Sequence, residues 1–378
     1  MKVINISEYI IPISLLIFVA GVLLGVDFGA FERDYYEAHS LGMDHLSNNL
    51  MTISERMLSI PNSASGVFPL WIMGHLDSLT MRVLFSALML VVFILAVYTS
   101  SLEVEVKRVF VGSLLISPMI MSATAWALPE VTALAIVGLS IATRKSKFNF
   151  FSYVLSFLVP WSRQTFIVFL GLSFFDDFKI TRQLLFSCIF GSIGLGMLVY
   201  FWGGIVPPNL TEVHLTPSLK PVTTALLIFC LYFGYFGISE LAHFELSKKV
   251  LLKLLLVAAI IIIDFLSPPL FGGGYIFSRL SSFNSILSIT LQACILFVVF
   301  NALSFRLIGI LMFLSLTFAT TNYMFLKYVD FYMPILLLTL LTFMPNSLPK
   351  VSHLKVVQSV LFFQVFSLTV AIIFYYIV

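Results

Sequence analysis

Long apolar runs, broken by short polar punctuation, dominate the chain from Ile10 to Tyr376. The runs are roughly 17 to 25 residues long, the length a helix needs to cross bilayer hydrocarbon. They are continuously apolar and lack the period-two alternation of a membrane barrel, so helices are the spanning element that fits. The pattern predicts spans near 8–27, 83–99, 109–126, 128–143, a broken pair 148–160 and 163–175, 183–202, 221–240, 250–266, 283–302, 306–320, 330–345 and 356–377. The expected architecture is all-α and polytopic, with about 12–13 transmembrane helices in a single membrane domain, 1–378. No internal repeat is apparent, and the first run lacks an A-x-A-like exit, so it reads as a retained helix.

Polar positions cluster unevenly. The stretch 28–82 is a long loop rich in acids (Glu32, Asp34, Glu37, Asp44, Glu55, Asp77). Within it, residues 46–60 place Leu50, Ile53, Met57 and Leu58 at helical spacing, which predicts one amphipathic interfacial helix. With the N-terminus cytoplasmic, the basic clusters Lys107-Arg108, Arg144-Lys145, Lys179 to Arg182 and Lys248-Lys249 all fall inside. The first loop then lies outside, together with Arg56, Arg82, Arg163, Lys220, Arg279 and Lys327.

Composition narrows the class further. A 60% hydrophobic share with 10% charged residues excludes a soluble or disordered chain. A net charge of +3 gives no reason to expect nucleic acid as a partner. The 3 cysteines lie in apolar runs and read as small buried hydrophobes. His39, His45, His75 and His214 show no metal-site spacing, and no metal or cofactor is expected.

Candidate chemistry collects on the outer side. Glu32-Arg33-Asp34 follows the first helix directly, and a carboxylate there has the properties of a general base. Asp34 is favoured over Asp44 and Asp77 by its closeness to the helix end, and Glu32, Asp34 and Glu37 stay open as that base. Pro160-Trp-Ser-Arg-Gln-Thr165 interrupts an apolar stretch, and a charge at that depth is tolerated only in protein or a wet cavity. Arg163 offers a donor fork suited to a phosphate, and Gln164 adds neutral hydrogen bonds. Lys327 leads into the aromatic segment Tyr328 to Tyr332 and supplies a second cation. Trp161, Arg279, Tyr328 and His39 complete the set of possible substrate contacts. Phe271-Gly-Gly-Gly-Tyr275 has no phosphate-loop continuation.

On these residues the chain resembles the GT-C superfamily of integral-membrane glycosyltransferases. More loosely it is similar to the dolichyl-phosphate-glucose-dependent α-1,2-glucosyltransferase branch. Ser65-Gly-Val-Phe-Pro-Leu-Trp71 and Met81-Arg82-Val-Leu-Phe-Ser86 match that branch's lead into its second span. Arg163-Gln164-Thr165 matches its arginine–glutamine–threonine motif, and Lys327 with Phe331-Tyr332 stands where it has a late arginine and aromatic pair. The resemblance implies a polyprenyl-phosphate monosaccharide donor, a glycan or lipid-linked acceptor, and inverting displacement with a carboxylate base. The lipid bilayer is then a partner in its own right.

Two other functions compete. A polysaccharide polymerase or ligase using a polyprenyl-diphosphate oligosaccharide would carry its large outer loop late, whereas here it comes first. A lipid or oligosaccharide flippase would place charges along a path through the spans. Asp264 reads as the main in-span acid, near the outer end of its helix, which argues against such a path. The compact loops point to a bacterial inner membrane, and the outward sequon Asn209-Leu-Thr211 keeps the endoplasmic reticulum as the alternative.

Overall fold

Helix starts along the chain follow local capping chemistry. Ser78, Ser117, Thr181, Ser247 and Ser304 each accept a hydrogen bond from the backbone N–H three residues on. Each thereby satisfies one of the donors that a helix N-terminus leaves open. A computed structural model of the chain describes residues 7–28, 32–58, 66–144, 149–177, 179–204, 218–241, 247–267, 272–273, 285–319, 323–324, 326–344 and 352–377.

The described residues are almost wholly helical. In order they form α1 (Ser7–Leu23), α2 (Glu32–Ser47), α3 (Ile53–Leu58), α4 (Val67–Gly74), α5 (Leu79–Tyr98), α6 (Val104–Leu115) and α7 (Pro118–Ala125). Next come α8 (Pro129–Thr143), α9 (Asn149–Ser162), a 3-10 turn (Gln164–Ile167), α10 (Val168–Gly171), α11 (Phe174–Asp177) and α12 (Arg182–Trp202). The remaining helices are α13 (Lys220–Tyr232), α14 (Gly234–Glu240), α15 (Lys248–Leu266), α16 (Ser285–Ala302), α17 (Phe305–Leu316), α18 (Leu326–Phe343) and α19 (Ser352–Ile377). Gly272–Gly273 pairs in parallel with Tyr323–Met324 as a two-residue ladder.

Among the described residues, four helices are long and apolar enough to cross a membrane, or six if each of two bent pairs counts as one span. Exposure supports this setting. In α5, Leu84, Leu88, Val91 and Leu95 form a stripe 48–59% exposed, while Leu90, Phe93 and Val97 on the other face are buried. A helix apolar on both faces needs lipid on the face that protein does not cover.

Two expected spans are not continuous. The run 109–126 bends by 59° between α6 and α7, and 221–240 bends by 62° between α13 and α14. Ser117-Pro118 explains the first break, because proline lacks the N–H that a continuing helix needs. At the second, Ser359 on α19 accepts from Phe236 N at 3.1 Å and donates to Tyr232 O at 2.8 Å, restitching backbone groups near the bend. The apolar stripe at 46–60 is also not one helix. α2 ends at Ser47 and α3 starts at Ile53, leaving Leu50 at 96% and Ile53 at 67% exposure while Met57 is buried.

Helix α8 is the central strut, buried along nearly its whole length between α5, α9 and α18. Beside it α9 and α12 lie close, and Gly194 permits this. A Cβ there would stand 2.3 Å from Phe157 O. The elements α2, α3 and α4 form a cap on one end of the bundle. Met43, Leu46, Met57, Val67, Leu70 and Met73 pack there with Leu198 and Trp202 from the end of α12. Arg82 pins this cap: its Nε donates to Met73 O and Leu76 O at 3.0 and 3.2 Å, and its Nη1 to Tyr36 Oη at 3.2 Å.

Candidate functional site

The break after α9 lies at this capped end. Ser162 closes α9, Arg163 adopts an extended conformation (φ −161°), and Gln164 opens the 3-10 turn. Trp161 stacks on Phe157 and meets Phe201 edge-on at 6.4 Å, which ties the break to the end of α12. The loop before α4 touches it from the other side. Gly66 has φ +84°, and a Cβ there would stand 2.5 Å from Pro129 Cβ and 3.4 Å from Ser162 O. Glycine is needed here both for the left-handed backbone and for this close approach.

Arg163 is held by a residue that sequence reasoning passed over. Its Nη1 donates to Glu130 Oε1 at 2.6 Å, with the two side chains 13% and 6% exposed. A charge-assisted bond this short, removed from water, is among the stronger polar contacts a protein makes. The guanidinium also lies 5.4 Å from the Tyr328 ring centroid and 5.8 Å from that of Phe166. Arg163 is therefore not an open fork: one arm is engaged by Glu130 and its faces meet aromatic rings.

Glu130 owes its place to a strained turn. Leu128 N bonds to Ala123 O and Ala127 N to Thr124 O, a Schellman closure of α7. Glycine usually occupies its left-handed position, but here Ala127 does so at φ 49°, fully buried. For a residue with a Cβ that conformation costs about 1–2 kcal/mol. The turn delivers Pro129 to the first position of α8 and Glu130 to the next, where an acid complements the helix dipole. Trp126, in the same turn, meets Tyr36 of α2 at 6.4 Å between centroids. The helix that carries Glu32, Asp34 and Glu37 thus packs against the turn that presents Glu130.

The late aromatic segment joins from below. Tyr332 is buried among Phe166, Phe169 and Phe318, with its hydroxyl 3.1 Å from Thr317 Oγ1 and 3.5 Å from Thr165 O. Tyr328 stacks on Phe318. The segments 160–165 and 328–332 therefore meet. Of the other expected contacts, Glu37 is exposed, His39 is buried and Gln164 is half-buried. The side chains of Glu32, Asp34 and Lys327 lie outside the described residues, as do Arg279, His214 and the sequon at 209–211.

Several of the bases expected on the outer side have structural work. Arg56 donates to Met51 O and Leu46 O across the α2–α3 turn. Lys220 donates to Asp264 Oδ2 at 2.6 Å, and Thr223 to Asp264 Oδ1 at 2.5 Å. Asp264 thus belongs to a local clamp between α13 and α15. It is not the deepest acid. Asp330 is fully buried and accepts from Ser117 Oγ, Tyr232 Oη and Gln364 Nε2, bringing both helix breaks onto one carboxylate. An ionisable residue inside a span is the usual mark of such a group, and Asp330 carries that mark in sequence.

No protein-family model, curated protein or solved structure matches the chain.

Proposed function

We propose that the chain is a GT-C-type glycosyltransferase that moves a monosaccharide from a polyprenyl-phosphate donor to a glycan or lipid-linked acceptor. The observation that carries this reading is the largely buried Arg163–Glu130 pair at a helix break, beside the acid-bearing cap α2–α4. A cation at headgroup depth beside carboxylates is what a lipid-linked sugar phosphate requires. The donor phosphate would take Arg163, with Gln164 and Lys327 as further donors, and Glu130 would hold the guanidinium ready before the donor arrives. Preorganised donors of this kind act where charge develops as the leaving group departs.

The acceptor hydroxyl attacks the anomeric carbon and forms the new glycosidic bond. The bond from that carbon to the phosphate oxygen breaks, and polyprenyl phosphate leaves with the electron pair. The hydroxyl proton passes to a carboxylate, Asp34 first with Glu32 and Glu37 as alternatives. In this reading the 12–13 helical segments cross the membrane and the capped end faces outward, in a bacterial inner membrane or, alternatively, the endoplasmic reticulum.

A flippase is the second reading, because two broken helices meeting at a buried carboxylate resemble the build of transporter sites. Asp330 disfavours it. Its three donors come from α13, α19 and the α6–α7 break and bind the acid into the packing, with Tyr232 itself fully buried. The deciding experiment incubates reconstituted protein with polyprenyl-phosphate monosaccharides and a glycan extract, and follows released polyprenyl phosphate by mass spectrometry. Release and sugar transfer are expected, lowered about 10²–10³-fold by Arg163→Ala, the usual effect of losing one oxyanion donor. Asp34→Asn is expected to abolish transfer while leaving donor binding intact. Translocation of intact donor without cleavage would establish the flippase instead.

A further inference from the structure

Arg144 caps the opposite end of α8, and its chemistry is left unfinished. It is 3% exposed, yet its Nε and Nη2 have no hydrogen-bond partner. Nη1 reaches only Ser173 Oγ at 3.3 Å, and the guanidinium lies 5.5 Å from the Phe343 ring centroid. No described acid forms an ion pair with it. The helix dipole supplies a partial negative charge at this end, about half an elementary charge, but gives those two nitrogens no acceptor. A buried cation left in that state is costly unless an anion completes it.

An apolar cavity of about 220 Å³ begins beside it. Ile167, Val168, Gly171, Phe175, Cys188 and Phe313 line it, together with Ser192. Ser173, which Arg144 Nη1 reaches, stands in sequence between the lining residues Gly171 and Phe175. From Cys188 to Ser192 the wall runs one turn along α12, about 6 Å away from the helix start at Arg182. A cation at Arg144 with an apolar cavity close by fits an amphiphile better than a free ion.

We propose that this end of α8 binds one anionic phospholipid, with its phosphate on Arg144 Nε and Nη2 and part of an acyl chain in the adjoining cavity. Lys145 and Lys147 follow Arg144 closely in sequence, and basic pockets between helices are known to hold lipid headgroups. The inference is independent of what happens at the capped end.

The test uses the full chain in micelles free of anionic lipid, titrated with phosphatidylglycerol or phosphatidylcholine of matched chains. Native mass spectrometry and thermal unfolding are the readouts. One retained phosphatidylglycerol, preferred at least tenfold over phosphatidylcholine and raising Tm, is expected. Arg144→Gln should reduce the preference to within twofold while leaving Tm in lipid-free micelles unchanged or higher, because it removes an uncompensated charge. Gly171→Leu tests the cavity with Arg144 itself left in place; the Cβ meets Cys188 Sγ at an ordinary 3.9 Å. It too should lose the preference. Equal binding of both lipids, an unchanged preference in either variant, or equal protection by inorganic phosphate would overturn the proposal.

Discussion

The two ends of α8 solve the same problem in opposite ways. At its start, Glu130 and Arg163 remove each other's charge from an apolar setting with one bond of 2.6 Å. At its finish, Arg144 is also buried and, among the described residues, meets no carboxylate, only a hydroxyl and an aromatic face, with two of its nitrogens unpartnered. Both charges suit the helix dipole, so local helix chemistry alone explains why an acid begins α8 and a base ends it. It does not explain the difference in partners. At one end the charge is matched by a described partner of the chain, whereas at the other two guanidinium nitrogens are left for the ligand proposed above.

Breaking the paired end should have the largest effect on stability. Glu130→Gln leaves Arg163 buried without its counter-charge, and about 3–5 kcal/mol of destabilisation is expected. Thermal unfolding in a fixed lipid checks this. The double variant Glu130→Gln/Arg163→Met removes both charges and should recover most of the loss. If the single variant is as stable as wild type, the pair is only a surface contact and the contrast between the two ends fails.

A smaller loss is expected at Asp330, which joins the α6–α7 and α13–α14 breaks without being part of either end. Asp330→Asn keeps the shape but turns one acceptor oxygen into a donor facing Ser117, Tyr232 or Gln364. About 1–3 kcal/mol is expected, the cost of leaving a buried polar group unmatched. Transfer activity per folded molecule should be unchanged. A selective loss of activity would move the chemistry from Arg163 towards the broken helices.

The weakest effect belongs to the cap. Glu55 accepts from the N–H and hydroxyl of Thr52 at 2.7 and 2.8 Å, a capping box for α3. These bonds hold its carboxyl below the ordinary carboxylate value. The folded pKa is the lower one, so the contribution to α3 is complete above the unfolded value and disappears as pH falls through the folded one. Hydrogen exchange across residues 53–58 should therefore show faster opening below about pH 4.5, in the range where an exposed carboxyl protonates. Thr52→Ala should flatten that dependence.

Much of the helical layout was legible because continuous apolar runs need no knowledge of packing. The break at Arg163 was also legible, since a charge and a proline stand inside such a run. Glu130 was not, because Leu-Pro-Glu reads first as a helix start and only the turn at Ala127 aims it at a residue 33 positions away. Asp330 was hidden by its neighbours: Lys327, Tyr328 and Tyr332 drew attention to the segment's surface chemistry, while three distant donors bury the acid. The amphipathic stripe at 46–60 failed for a different reason. Asn48 and Asn49, where the helix stops, are poor helix formers, and the Thr52 capping box starts a new helix inside the stretch, so its periodicity never reached one surface.

The central claim is that the capped end of α8 receives a lipid-linked phosphate. The structure of the full chain determined with a bound polyprenyl-phosphate monosaccharide tests it most directly. A phosphate oxygen within hydrogen-bond distance of an Arg163 guanidinium nitrogen, with the sugar facing the α2 acids, is the expected result. A phosphate bound elsewhere, with the Arg163–Glu130 bond unchanged and the α2 acids turned away from the sugar, would contradict it.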